Sequence, residues 1–328
     1  MAHYTGNTGA FINDHVYSSM ILEHLEDNLL PMSWSRNVSE FSHGSILNIK
    51  TLGSVTLQEV AENQSITYTP IDTGNITMQI TDYIGDGWYI TDELRREGTQ
   101  IEALMAARSR QSSAALARFY ETRWLEAAER AQCAGDANSV NKVPHRYICC
   151  GCDAKAILDT FATMQYAFNQ ADVPSAGRIA IVDPSIELAL NGLFTQPESL
   201  ANNFTLGGRI PNGFVQEHKL VGSLFGWDVW TSTRLPRIQE ETINYEPFGG
   251  RVKSIKNGIA NLFMCLASDE TKPLMHAWRT KAGVESNRNW HLRRDEYQTY
   301  ARFGLGAQRV DTLGVVITDG CANLACIG

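Results

Sequence analysis

Residues 99–131 contain no proline and no glycine, and apolar side chains recur through them at Ile101, Leu104, Met105, Leu116, Phe119, Tyr120, Trp124 and Leu125. Alanines such as Ala106, Ala107, Ala114, Ala115 and Ala117 fill positions between them. The pattern predicts one unbroken helix. Thr99-Gln100-Ile101-Glu102 fits a capping box, in which hydroxyl and carboxylate each accept from an orphan backbone N–H. At the usual rise per residue the helix is about 50 Å long. Most helices in compact domains are far shorter. A helix of this length is a strut, and the rest of the chain must supply what it braces.

Residues 45–82 alternate with period two. Leu47 and Ile49 alternate with Asn48 and Lys50, Val55 and Leu57 with Thr56 and Gln58, and Ile76, Met78 and Ile80 with Thr77, Gln79 and Thr81; Ile66 and Tyr68 lie between. Such alternation predicts antiparallel strands with one covered face and one wet face. The polar run from Gln58 to Gln64 reads as a tip, and Pro70 with Asp72-Thr73-Gly74-Asn75 as a bend or turn. A two-stranded ribbon is marginal alone, so it must lie on another surface.

Elsewhere the signals are local. Residues 1–15 are polar and Gly-rich and read as an arm, followed by a short helical pattern from Asn13 to Leu30 that Pro31 ends. Thr91-Asp92 caps a short helix ending at Gly98. Residues 132–147 read as a linker. Asp153 caps a helix over 154–171, which Pro174 terminates. Arg178–Val182 is a short buried strand, and Asp183-Pro184-Ser185 opens a second helix to about Leu193 with proline at its first position. Residues 195–215 and 237–257 read as polar loops. Leu220–Trp230 is a strand pair turning near Gly226, and Ala260–Thr318 is strand-rich.

The charge is uneven. Net charge is −8 overall, but residues 1–94 hold only Arg36 and Lys50 against 12 acids, while the remainder is near neutral. An acidic first third on a neutral body implies that this third meets something. No long basic block indicates tight nucleic-acid binding. No apolar run approaches a membrane span, and the N-terminus lacks the regions of a signal peptide. The seven cysteines are an odd number, so they cannot all pair within one chain. Cys149-Cys150-Gly151-Cys152 contains one C-x-x-C without a second; small buried apolar residues are the simpler reading, a zinc or redox site the sharper one.

The order of parts, an arm, an acidic ribbon, a long helix, an α/β insert and returning strands, resembles the major capsid proteins of tailed double-stranded DNA bacteriophages, the Hong Kong 97-type fold. Gly44-Ser45-Ile46-Leu47-Asn48-Ile49 looks like that family's ribbon entry and Ser65-Ile66-Thr67-Tyr68 like its return strand. Val173-Pro174 to Pro184 and Val221-Gly222-Ser223-Leu224-Phe225-Gly226-Trp227-Asp228-Val229 are similar to stretches of its axial domain. The resemblance spans roughly residues 10–320. It implies an α+β fold with an N-terminal arm (1–43), an extended β-ribbon or E-loop (44–90), a peripheral domain whose first part holds the spine helix (91–142), an axial domain (143–258) and returning peripheral strands (259–328).

The implied function is structural: self-assembly into pentamers and hexamers of an icosahedral virion shell, made in the host bacterial cytoplasm and enclosing double-stranded DNA through non-specific contact. The implied partners are further copies of the chain, a portal protein, a decoration protein and a separate scaffolding protein, since no charged helical segment precedes the arm. No cofactor, metal or membrane enters this reading. Lys50 has no indicated isopeptide partner and reads as a surface charge. Glu59, Glu62, Asp72 and Asp82 of the ribbon, with Arg95, Arg96, Arg108, Arg110, Arg118, Arg293 and Arg294 on the peripheral side, are the candidates for contact between subunits, because their signs are complementary.

Two rivals remain open at this stage. A cellular nanocompartment shell, an encapsulin, has the same fold. An α/β enzyme is disfavoured, because no G-x-S-x-G, H-E-x-x-H or Walker loop occurs, and His145 and His276 read as ordinary hydrogen-bonding histidines.

Overall fold

The computed structural model describes residues 32–38, 46–52, 59, 62, 73–97, 101–132, 139–140, 143–149, 154–195, 215–216, 219–245 and 251–319. In chain order the strands are β1 (Arg36–Asn37), β2 (Ile46–Leu52), β3 (Thr73–Gln79), β4 (Asp82–Thr91), β5 (Ser139–Val140), β6 (Val143–Pro144), β7 (Arg146–Cys149), β8 (Arg178–Val182), β9 (Val215–Gln216), β10 (Lys219–Leu224), β11 (Trp227–Thr231), β12 (Arg237–Tyr245), β13 (Arg251–Cys265), β14 (Leu274–Asn289), β15 (Arg294–Ala307) and β16 (Leu313–Thr318). The helices are α1 (Asp92–Glu97), α2 (Ile101–Ala131), α3 (Ala154–Gln170) and α4 (Pro184–Thr195).

Two sheets divide the work. The smaller runs β1-β14-β15-β4, built on the long β14–β15 hairpin. Helix α2, at 31 residues, is the expected strut. Its second half buries large groups against this sheet: Tyr120 stacks on Trp278 at 5.3 Å, and both rings approach Phe303. Its first half instead buries Ser109, Ser112 and Ser113, a polar stripe that the apolar pattern did not show.

The larger sheet has eight strands, β7-β16-β13-β8-β11-β10-β9 with β12 beside β13. Strand β8 is buried along its whole length, as an apolar run between two layers must be. Phe161 and Phe168 of α3 meet Phe263 and Trp227 edge-on at 5.2 and 5.0 Å. Gly314 on β16 lies under α3: a Cβ there would come within 2.5 Å of Met164 Sδ. The tight turn between β10 and β11 places Phe225 and Gly226 at positive φ. One core of buried side chains joins both sheets.

Several readings change. Residues 237–245 and 251–257, expected as loop, are strands β12 and the start of β13, paired from Arg237↔Ile259 to Tyr245↔Arg251. Residues 139–140, 143–144 and 146–147, expected as linker, form β5, β6 and the start of β7, which runs to Cys149 parallel to β16. Residues 82–90, placed by the resemblance within the ribbon, form most of β4, which pairs with β15 in the smaller sheet. The expected division at 258/259 falls inside β13, and β13 and β16 both belong to the larger sheet. The expected helix over 13–30, the Thr99 capping residue, the Ser65–Tyr68 return strand, the Asp153 cap and most of the 195–215 loop lie outside the described residues.

Candidate functional site

The ribbon is a two-stranded sheet of its own. Strands β2 and β3 pair antiparallel from Ile46↔Gln79 to Leu52↔Thr73, as the alternation requires. Among the ribbon's described residues, only those nearest the sheet are buried. Met78 and Ile80 are buried against Met275 and Ala277 of β14, with Leu47, Ile49 and Ile76 partly covered beside them. Two glycines make the seat. A Cβ on Gly304 would lie 2.6 Å from the Gln79 carbonyl oxygen and 2.9 Å from Ile80 Cα, and one on Gly306 would lie 3.2 Å from Met78 Cγ. The ribbon backbone therefore crosses β15 at a distance only glycine permits.

The charged candidates fall into two groups. Asp82 is 3.9 Å from Arg123 Nε. Arg108 Nη2 donates to both carboxylate oxygens of Asp86, at 3.0 and 2.9 Å, and Ser112 Oγ donates to the same carboxylate at 2.6 Å. Arg95 donates to Asp295 at 2.6 Å. Arg288 bridges Asp92 and Asp295, and its hydrogen bond holds the Asp92 carboxyl below the usual range. Arg294 donates to Glu296 at 2.7 Å and lies over the Tyr89 ring at 4.4 Å. These cations are engaged within the subunit. Arg96, Arg110, Arg118 and Arg293 are exposed and form no salt bridge among the described residues. Glu59 and Glu62 are exposed; Asp72 lies outside the described residues.

A feature that the sequence reading did not single out lies at the ribbon's root. A cleft of about 530 Å³ is lined by Arg36, Lys50 and Arg309 around Val38, Ile49, Ile76 and Met275, with Gln308 and Glu270 in its wall. Its only sequence signal is that Arg36 and Lys50 are the sole cations before residue 95.

His145, His276 and Cys149 are buried. His276 Nδ1 is 2.6 Å from Ser35 Oγ, as expected of an ordinary histidine. His145 differs: it is fully buried against the Phe168 ring at 5.3 Å, and neither ring nitrogen makes a hydrogen bond of normal geometry. Cys149 is buried on β7 with its Sγ 3.8 Å from the Ala156 carbonyl oxygen, while Cys150 and Cys152 lie outside the described residues. Among the described residues no three His, Cys, Asp or Glu side chains gather as a metal site, and no helix is long and apolar enough to cross a membrane.

No family model matches the chain, and no curated protein matches it by sequence. Solved structures do match in fold. The mature capsid of bacteriophage PhiM1 aligns with TM-score 0.65 at 15% identity, covering 89% of this chain and 86% of that one. The capsid of cyanophage P-SCSP1u aligns with TM-score 0.63 at 12% identity, covering 87% and 86%. The virus-like particle of Pyrococcus furiosus aligns with TM-score 0.53 at 7% identity, covering 93% and 99%. The chain thus has the fold of phage capsid subunits, which bears out the resemblance at the level of fold.

Proposed function

We propose that this chain is the major capsid subunit of a tailed double-stranded DNA phage, assembling through pentamers and hexamers into a closed shell. The observation that carries the reading is a match to phage capsid structures along nearly the whole chain. In this reading the β2–β3 ribbon is the E-loop, α2 the spine helix, the four-stranded sheet the peripheral domain, and the eight-stranded sheet the body of the axial domain. The physics agrees. A ribbon whose described residues are buried only at its root gains further contacts from a neighbour, and a rigid strut beneath the sheet keeps the subunit from bending as it does so. Portal, scaffolding and decoration proteins and the packaged DNA are the partners this reading brings with it. A fold shared with shell proteins also argues for a structural role over an enzymatic one.

The test is electron microscopy of the purified chain across salt, pH and added scaffold. Rings or closed shells are expected; a compact monomer under every condition overturns the reading. A nanocompartment shell is the second reading, supported by the match to the Pyrococcus furiosus particle. Particles isolated from the source decide between the two: double-stranded DNA inside supports the virion, a packaged protein the compartment.

A further inference from the structure

We propose that residues 32–38 form a detachable strap that locks the angle between the two sheets, and that releasing it lets the larger sheet turn about α2. The strap is a property of the folded subunit and goes beyond the shell reading; only its use in assembly rests on that reading.

The strap grips both halves of the molecule. Trp34, in the turn Met32–Trp34, is buried. Its ring meets Trp230 of β11 edge-on at 5.0 Å and Trp124 of α2 at 6.3 Å. Strand β11 belongs to the larger sheet, so the indole is a wedge between that sheet and the strut. The residues that follow turn to the smaller sheet. Ser35 Oγ lies 2.6 Å from His276 Nδ1, and the Val38 N–H donates to the His276 carbonyl at 2.9 Å. Between them β1 pairs parallel with β14 at Arg36↔Met275 and Asn37↔His276. The strap therefore joins β14 to β11 by a route that does not pass through α2.

Two polar links between the halves do pass through α2. Glu121 accepts from Ser232 Oγ, just beyond β11, and pairs with Arg234. Arg146 of β7 donates to the Glu129 carboxylate and to the Gln132 carbonyl at the helix end. Links strung along one helix act as a hinge pin. They resist separation but not rotation about the pin. A contact beside the pin fixes the rotation, and Trp34 with β1 is such a contact.

The strap is built to come off. Strand β1 is two residues long and ends its sheet, so it can leave β14 without breaking another pair. Its side-chain bond and its closing backbone bond both converge on His276. Arg36 and Asn37 are exposed and bury little. The hold on the larger sheet is one ring. A unit held by so few contacts opens at a lower free energy than the sheets it joins. Hinge motion needs a small bistable element of this kind, and a shell whose copies make unequal contacts gives the motion a use.

The test is a distance measurement on the full chain. A spin-labelled residue replaces Gln298 on β15 and another replaces Ser254 on β13, both exposed positions, and pulsed electron resonance reads the distance between the sheets. The native strap is expected to give one narrow distribution. Trp34→Ala is expected to broaden it, and Trp34→Phe to keep most of the narrowing. In the same Trp34→Ala protein, exchange of the Val38 amide should quicken about tenfold or more, because the indole supplies most of the strap's burial, while β8, β13 and β16 keep their rates. An unchanged distribution in folded Trp34→Ala overturns the lock. So does broadening accompanied by faster exchange in β13 and β16, which would make Trp34 an ordinary core residue. Should Trp34→Ala fail to fold by circular dichroism, Val38→Pro decides instead: it removes the N–H that closes the strap on His276, must broaden the distribution, and overturns the proposal if it does not. None of these outcomes depends on shells forming, so failure of the strap and failure of the shell reading are told apart.

Discussion

His276 shows how a single residue can tie the subunit to pH. Its ring is buried between β14 and the segment bearing Ser35. Burial, with Lys272 nearby adding to it, pushes its pKa down to about 4. The unfolded chain titrates near 6.5. Between those values the unfolded state takes up a proton that the folded state refuses. Stability is therefore full above about pH 6.5, falls as pH drops, and loses nothing more from this group below about pH 4. The loss is roughly 3 kcal/mol across the window. Urea melts of the unassembled subunit from pH 7 to 4 should show it, and His276→Gln should flatten the curve. An identical slope in the variant would remove His276 from the account. Arg146 makes a different claim. Only 6% exposed, it joins Glu129 and Glu241, each at 2.6 Å, and donates to the carbonyls of Glu129 and Gln132 at the end of α2. Arg146→Met strands two carboxylates, and a loss on the order of 3–5 kcal/mol is expected in the same melts. Arg146→Lys should recover little, because an ammonium cannot reproduce the guanidinium's fork of donors.

At the scale of elements, the seat of the ribbon gives the sharpest prediction. Gly304→Val places a branched side chain where the Gln79 carbonyl and Ile80 Cα already stand. Overpacking of this kind typically costs about 1–3 kcal/mol, and here it falls on the crossing of β3 over β15. Hydrogen exchange should quicken in 46–52 and 73–80 and stay unchanged in β13 and β16; uniform quickening would mean general unfolding instead. The elements that were legible in the sequence share a property: their signal is local. Pro184 opens α4, Gly226 turns β10 into β11, and the β2 and β3 alternation needs no partner to be seen. The missed elements depend on distant ones. Strand β4 puts Asp82 and Asp86 on the inward face, which reads as a break until Arg108 and Ser112 of α2 appear opposite Asp86. Strand β12 looks polar because it is an outer strand paired to β13. The candidate site divides in the same way. The acids of the ribbon could be read as a charge imbalance, but the cleft assembles Arg36, Lys50 and Arg309 from three distant segments, and no spacing announces that.

For the whole molecule, the question is what a subunit lacks when it is alone. Helix α2 packs on the smaller sheet and α3 on the larger, and a continuous core joins them. The described residues of the ribbon have little such cover. Ile46 is 57% exposed, and among the ribbon's described residues only Met78 and Ile80 are buried. Two paired strands without a third strand or a packed face are marginally stable in water, and local opening follows local stability. The backbone amides of β2 and β3 should therefore exchange quickly in the unassembled subunit, while those of β8, β13 and β16 exchange only through global unfolding. Assembly changes one side of this comparison. If the ribbon lies on a neighbouring copy, its protection should rise sharply in shells while the core strands keep the values they had. The experiment is hydrogen exchange by mass spectrometry on subunits and shells from one preparation. Equal, low protection of 46–52 and 73–79 in both states would show that the ribbon is not what holds the copies together. High protection already present in the monomer would show that it needs no neighbour at all.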